Sequence, residues 1–295
     1  VVFVHGLTGD SFSTWTTPPN GSGDKVCWPE TLLPVTIPNA RAILFGYAAD
    51  VLRFWDPSSD NSVYQHGKSL LRYLADMRDD TKTDPERKIL WVAHSLGGLV
   101  LEEAFLISEN SAEPYLNAIS KATYGIAFLA TPHIGTDKAA WTDFATKFLR
   151  LEHFNNYNHA LLETLSPGSK NLAKIEDQFL TAWRRRSKKP EDTFHLLNFH
   201  EEYPVTSIGK IVEDHSATIP GVLSQSIPGN HITIAQFESL LNPGYKLVSG
   251  ALSRWYREVE GEAREREKSR RAARLFSRWN NSGESYGTLS SNHGK

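Results

Sequence analysis

The run Trp91-Val92-Ala93-His94-Ser95-Leu96-Gly97-Gly98-Leu99-Val100 sets a serine between a short apolar segment and a segment of helical spacing. A serine on a sharp strand-to-helix turn can attack a carbonyl carbon, and its strained backbone requires small residues two positions before and two after it. Ala93 and Gly97 meet that requirement, with alanine where glycine is more usual. Leu96 opens the expected helix, where free N–H groups and the helix dipole favour a developing negative charge. A second stretch, His5-Gly6-Leu7-Thr8-Gly9, follows the apolar run Val1-Val2-Phe3-Val4. Its glycines let backbone approach the serine, and the N–H groups of Leu7 and Leu96 are expected to form a two-donor oxyanion hole. His5 reads as a brace for this loop rather than as a proton carrier.

A nucleophilic serine needs a base to take its proton and a carboxylate to orient that base. His231, in Gly229-Asn230-His231-Ile232-Thr233, follows the last expected strand and precedes a segment around Phe237 that is read as a helix. The order serine, acid, histidine places the acid between Ser95 and His231. Glu201 is expected, two residues beyond the strand-like run Phe194–Phe199; Asp214 is the alternative, after Lys210–Val212, which is read as the next strand. Glu202 and Glu213 are weaker, because adjacent residues on an extended segment point to opposite sides. His94 adjoins the nucleophile but is expected to point to the other side of the turn; His133, His200 and His215 are the other competitors. Neither a metal nor a nucleotide cofactor is expected: the chain has no His-Glu-x-x-His, no paired cysteines and no Gly-x-x-x-x-Gly-Lys-Ser/Thr.

The elements that would position these residues alternate along the chain. Apolar runs at Val1–Val4, Ala42–Phe45, Ile89–Val92, Gly125–Leu129, Phe194–Phe199 and Lys210–Val212 read as strands buried on both faces. Leu70, Leu71, Leu74 and Met77, then Leu99, Ala104 and Ile107, then Leu172, Ile175, Phe179 and Trp183 have helical spacing between them. This is the pattern of a parallel sheet covered by helices. One domain over 1–256 is expected. Residues 136–190 carry Trp141, Phe144, Phe148, Phe154, Tyr157, Leu161 and Leu165, and read either as a cap over the site or as extra surface helices. Residues 257–280, rich in Glu, Arg, Lys and Ala, read as a charged helix or linker, and 281–295 as a disordered tail. The tract from Arg184 to Lys189 reads as a solvated helix end, with anionic lipid or an acidic partner as the alternative.

With 295 residues, 40% of them hydrophobic, the chain can bury a large core, and a net charge of -2 gives no field to collect nucleic acid. The single cysteine, Cys27, excludes an intramolecular disulfide and leans towards a reducing compartment. No apolar run approaches the roughly 20 residues that span a bilayer. A start at Val1, inside an apolar run, suggests a fragment, and the expected location is intracellular, in the cytoplasm or peripheral to an organelle membrane. The oligomeric state is not legible.

Taken together, Val4-His5-Gly6-Leu7, Trp15, Trp28 with Leu32-Leu33-Pro34, Gly46-Tyr47, His94 to Gly98, Phe128 to Gly135, Phe199-His200-Glu201 and His231 resemble a family. It is that of serine esterase and lipase-like α/β-hydrolases related to the serine active site-containing protein and GPI inositol-deacylase, with fungal members standing before NACHT modules. The resemblance spans residues 1 to 240 or so. It implies an α/β-hydrolase fold lacking its two first antiparallel strands, with Thr131, Pro132 and His133 bordering the site beside His5, Gly6, His94 and Gly97. It also implies hydrolysis of a carboxylic ester, thioester or lipid, with peripheral membrane contact. The alternative is a catalytically silent signalling or interaction domain that keeps the fold.

Overall fold

Short apolar runs, too short for helices, become the strands of one sheet. The computed structural model describes residues 1–6, 9–18, 24–47, 62–151 and 159–283, the last with backbone only for 159–169 and 278–283. Its strands are β1 (Val2–Val4), β2 (Thr16–Thr17), β3 (Val26–Cys27), β4 (Ile43–Phe45), β5 (Ile89–His94), β6 (Thr123–Leu129), β7 (His195–Glu201) and β8 (Ser224–Ile227). Six of them form a sheet in the order β4-β1-β5-β6-β7-β8, parallel at every pairing, while β2 and β3 form a separate antiparallel pair. The helices are α1 (Trp28–Thr31), α2 (Leu33–Thr36), α3 (Val63–Asp80), α4 (Gly97–Glu109), α5 (Pro114–Ala122), α6 (Lys138–Leu151), α7 (His159–Arg186) and α8 (Pro243–Gly283).

Period-two alternation sends successive strand residues to opposite faces. Val2, Val4, Trp91, Ala93, Ile126 and Phe128 join a core with Leu70 and Leu74 of α3, Leu99 and Phe105 of α4 and Phe179 of α7. Phe3 turns the other way and meets Trp15 and Trp28 edge-on, at 5.2 and 5.1 Å between ring centres. Trp28 continues this second core to Phe237 and Tyr245, at 5.3 and 5.9 Å. Each such aromatic pair adds about 1 kcal/mol beyond the area it buries.

Two expected elements differ. Lys210–Val212 is not a strand: Ile211 and Val212 are buried, but their N–H groups go to the carboxylate of Glu201 instead of a neighbouring strand. The strand beside β7 is β8, whose Ser-Gln-Ser-Ile sequence has no apolar run to announce it. Nor is Phe237 helical. One 3-10 turn, Thr233–Ala235, follows His231, and the next helix begins at Pro243.

The chain divides into two compact units, Val1–Leu252 and Ser253–Lys295. All described strands lie in the first. The second is helical to Gly283, with ion pairs Glu260–Arg264 and Glu267–Arg271 at 3.2 and 3.1 Å. Residues 284–295, most of the expected tail, lie outside the described residues, as do 152–158 and the side chains of Leu161 and Leu165. Trp141, Phe144 and Phe148, all on α6, are buried. Arg186 is not the solvated end of its helix. It is buried, donates to Glu109 Oε2 at 3.2 Å, the Ser120 carbonyl at 2.9 Å and the Asp192 carbonyl at 2.7 Å, and lies over the rings of Phe105 and Phe194. Among the described residues no helix is long and apolar enough to cross a membrane.

Candidate active site

Ser95 stands between the end of β5 and the start of α4 with φ at +52°, a left-handed conformation that a non-glycine residue adopts only under constraint. The constraint comes from both sides. The Ser95 N–H donates to the Leu129 carbonyl at 2.9 Å, tying the turn to the end of β6. Gly97 lies so close to β1 that a Cβ there would stand 2.2 Å from the His5 carbonyl oxygen, and one at Gly6 would stand 2.8 Å from Ser95 Cβ. Glycine is therefore required at both positions by close approach of the two loops. Leu96, buried, caps α4. Leu7, its expected partner in an oxyanion hole, lies outside the described residues.

His231 reaches the serine from the loop after β8. Its Nε2 lies 2.9 Å from Ser95 Oγ and its Nδ1 lies 3.2 Å from Glu201 Oε1. The carboxylate can only accept, so Nδ1 carries the ring proton and Nε2 is left to accept from the serine hydroxyl. Asn230 shapes the loop: its side-chain oxygen accepts from the N–H groups of Ile232 and Thr233 at 3.0 and 3.1 Å. Trp28 Nε1 then donates to the Ala235 carbonyl at 2.9 Å, anchoring the loop to the second core. Neither contact is legible in the sequence, although an Asn three residues before a Thr is a recognisable turn signal.

Glu201 is the last residue of β7 rather than two residues beyond it, and is 0% exposed. Besides His231 it accepts from Val212 N–H at 2.9 Å and Ile211 N–H at 3.4 Å. The rival acid, Asp214, has a side chain 56% exposed and paired with Lys210 at 2.7 Å. Glu202 and His215 are exposed, and His200 meets Ser224 Oγ at 3.1 Å.

The remaining candidates surround this line. His5 braces its loop: Nδ1–H donates to the Gly6 carbonyl at 2.7 Å, Nε2 accepts from Tyr47 N–H at 3.2 Å, and the ring stacks on Tyr47 at 4.3 Å. Burial lowers the pKa of His5. His94 does not point away from the site. Ser95's left-handed backbone turns the chain so that the His94 ring lies 5.1 Å from that of His231 and hydrogen-bonds its carbonyl. Thr131, Pro132 and His133 are buried behind the turn, where Thr131 fills the space a Cβ on Gly98 would occupy. Phe148 of α6 meets the His231 ring edge-on at 6.4 Å, a neighbour that periodicity alone does not reveal. No cluster of His, Cys, Asp or Glu fit to hold a metal occurs among the described residues.

A parallel sheet of this order, a strained serine at a strand-to-helix turn and a following carboxylate and histidine define the α/β-hydrolase class. Residues 1–188 match the family described as "Putative serine esterase (DUF676)", and the chain belongs to that family. Protein SERAC1 of Bos taurus is 29% identical over 255 residues, which cover 80% of this chain and 36% of that protein. Protein SERAC1 of Danio rerio is 29% identical over 240 residues, covering 74% and 33%. The chain thus spans about a third of the length of these relatives. Among solved structures, the Bacillus licheniformis lipase BlEst2 is 17% identical with a TM-score of 0.42, covering 85% of this chain and 90% of that one. The RedJ thioesterase of the Streptomyces coelicolor prodiginine pathway is 13% identical with a TM-score of 0.41, covering 86% and 89%.

Proposed function

We propose that the chain hydrolyses a carboxylic ester or thioester, lipid acyl esters included, through an acyl-enzyme on Ser95. The observation that carries this is the unbroken hydrogen-bonded line from Glu201 through His231 to Ser95. His231 Nε2 takes the serine proton as Oγ attacks the carbonyl carbon, and Glu201 holds the ring in the required tautomer while stabilising the imidazolium that forms. The N–H of Leu96 meets the developing oxyanion from the helix end, with that of Leu7 as the expected second donor. His231 then returns the proton to the leaving alcohol or thiol, and water releases the acyl group by the same steps.

Ser95 and His231 are only 1% and 2% exposed, so substrate must displace something to enter. The edge-on contact of Phe148 with the His231 ring makes α6 the candidate for that displacement, as part of a cap over 136–190. The same closed site would suit a silent interaction domain. One experiment separates the two: a fluorophosphonate probe should label the wild type but not Ser95→Ala, and label Phe148→Ala faster than the wild type. A folded wild type that stays unlabelled would overturn the hydrolase reading; equal rates for Phe148→Ala would remove α6 from the entry path.

A further inference from the structure

We propose that His94 is a positioning residue for the reaction, holding the loop that carries His231 at its working distance from Ser95. The inference rests on the serine-hydrolase reading and adds a residue to it. His94 ends β5 and precedes the nucleophile, so its backbone is fixed by pairing with Leu129 of β6. From there its ring Nε2–H donates to the backbone carbonyl of His231 at 2.8 Å. The carbonyl can only accept, which assigns the proton to Nε2.

The bond closes a ring. Ser95 and His231 already meet through Oγ and Nε2, and His94 adds a second link between the same two chain segments. Other supports of the His231 loop act differently. Asn230 fixes the loop's shape from within, and Trp28 ties Ala235 to the second core. His94 instead ties the nucleophile strand directly to the loop of the base. The ring is suited to the task because it is 9% exposed and stays neutral: burial, then the nearby His231 and His5, lower its pKa to about 3. When His231 becomes an imidazolium in the reaction, its neighbour 5.1 Å away therefore adds no like charge.

Glutamine and asparagine differ by one methylene and make the test. The glutamine amide nitrogen reaches about as far as Nε2, whereas that of asparagine stops short. With p-nitrophenyl butyrate as substrate, His94→Gln should keep kcat within roughly threefold, while His94→Asn and His94→Phe lose roughly 10- to 100-fold, the range expected for a small misplacement of a catalytic group. KM should stay within about twofold and Tm close to that of the wild type, with fluorophosphonate labelling slowed in step with kcat. Unchanged kcat in folded His94→Asn, or an equal loss in His94→Gln, would overturn the proposal. If His94→Phe fails to fold, the Gln and Asn pair decides alone. A wild type that the probe does not label sinks the hydrolase reading and this one with it, whereas a labelled wild type beside an indifferent His94→Asn sinks only this one.

Discussion

Among the described residues stand two buried histidine–carboxylate pairs, and they differ in what else meets the carboxylate. In the first, Glu201 lies 3.2 Å from His231 Nδ1 and also accepts the N–H groups of Ile211 and Val212. In the second, Glu102 of α4 lies 3.4 Å from His133 Nδ1, but neither of its oxygens nor either His133 ring nitrogen has a hydrogen-bond partner. Burial pushes Glu102 well above the usual carboxylate range, with Glu176 and Glu103 adding to the rise, and burial lowers His133 to about 3. Backbone donors therefore separate the pairs. A carboxylate met by amides can serve as a fixed negative partner for a base, while one without them holds its proton and stays neutral.

The sharpest break would come from removing the charge at Glu201 without changing its shape. Glu201→Gln should lower kcat for an acyl ester by roughly 10³- to 10⁴-fold, because the amide can no longer stabilise the imidazolium and can favour the wrong tautomer. Asp214→Asn, altering an exposed residue paired with Lys210, should leave kcat within about twofold. Steady-state rates of matched, folded variants check both. The reverse outcome would transfer the role to Asp214 and dissolve the contrast between the pairs.

Much of this arrangement was legible in the sequence, for particular reasons. Val2–Val4, Ile89–His94 and Thr123–Leu129 are buried on both faces, so their apolar runs show directly. Ser95 shows through the size limits on Ala93 and Gly97, which follow from backbone strain. Edge and turn structure shows poorly. β8 is a polar edge strand, and β2 and β3 are two residues each, too short for any period to register. Ile211 and Val212 look like a strand because burial and β-branching are the same whether their amides face a neighbouring strand or the carboxylate of Glu201. The direction of His94 depends on a contact 137 residues away, which no local pattern encodes.

A smaller effect tests whether the second region is as ill-matched to charge as it looks. Glu176 of α7 accepts Gly135 N–H at 2.8 Å, yet burial raises its pKa from 4.5 to about 7 against that hydrogen bond, with Asp177 adding to the rise. Between those values the folded chain holds a proton that the unfolded chain has released. Stability is therefore lost as pH rises from 4.5 through about 7, with no further loss above, and the difference corresponds to roughly 3 kcal/mol at most. Glu176→Gln keeps the acceptor and removes the titration, so its advantage over the wild type in urea unfolding should grow across that window. His133 acts with the opposite sign, costing stability as pH falls from 6.5 towards 3, but is present in both proteins and cancels. A difference that is flat with pH would show that Glu176 stays ionised without penalty.

The smallest effect is expected at Glu102, and it is the strictest test because Glu102 is as buried as Glu201 and lies on the helix that follows Ser95. Burial, with Glu176 and Glu103, pushes this carboxyl towards its neutral, protonated form, which Glu102→Gln imitates in nearly the same shape. No hydrogen bond to either oxygen is lost, and the new amide can donate to His133 Nδ1, which approaches Glu102 at 3.4 Å. Replacing a costly buried ionisable group with a neutral one is often neutral or stabilising. Tm should stay level or rise by a few degrees, and kcat should remain within about threefold of the wild type. Were Glu102 and His133 to pass a proton or charge towards the serine, the amide would interrupt them and kcat would fall as steeply as in Glu201→Gln. Such a fall, in a variant that melts no lower than the wild type, would mean that amide donors do not divide the two pairs and that both serve the same reaction.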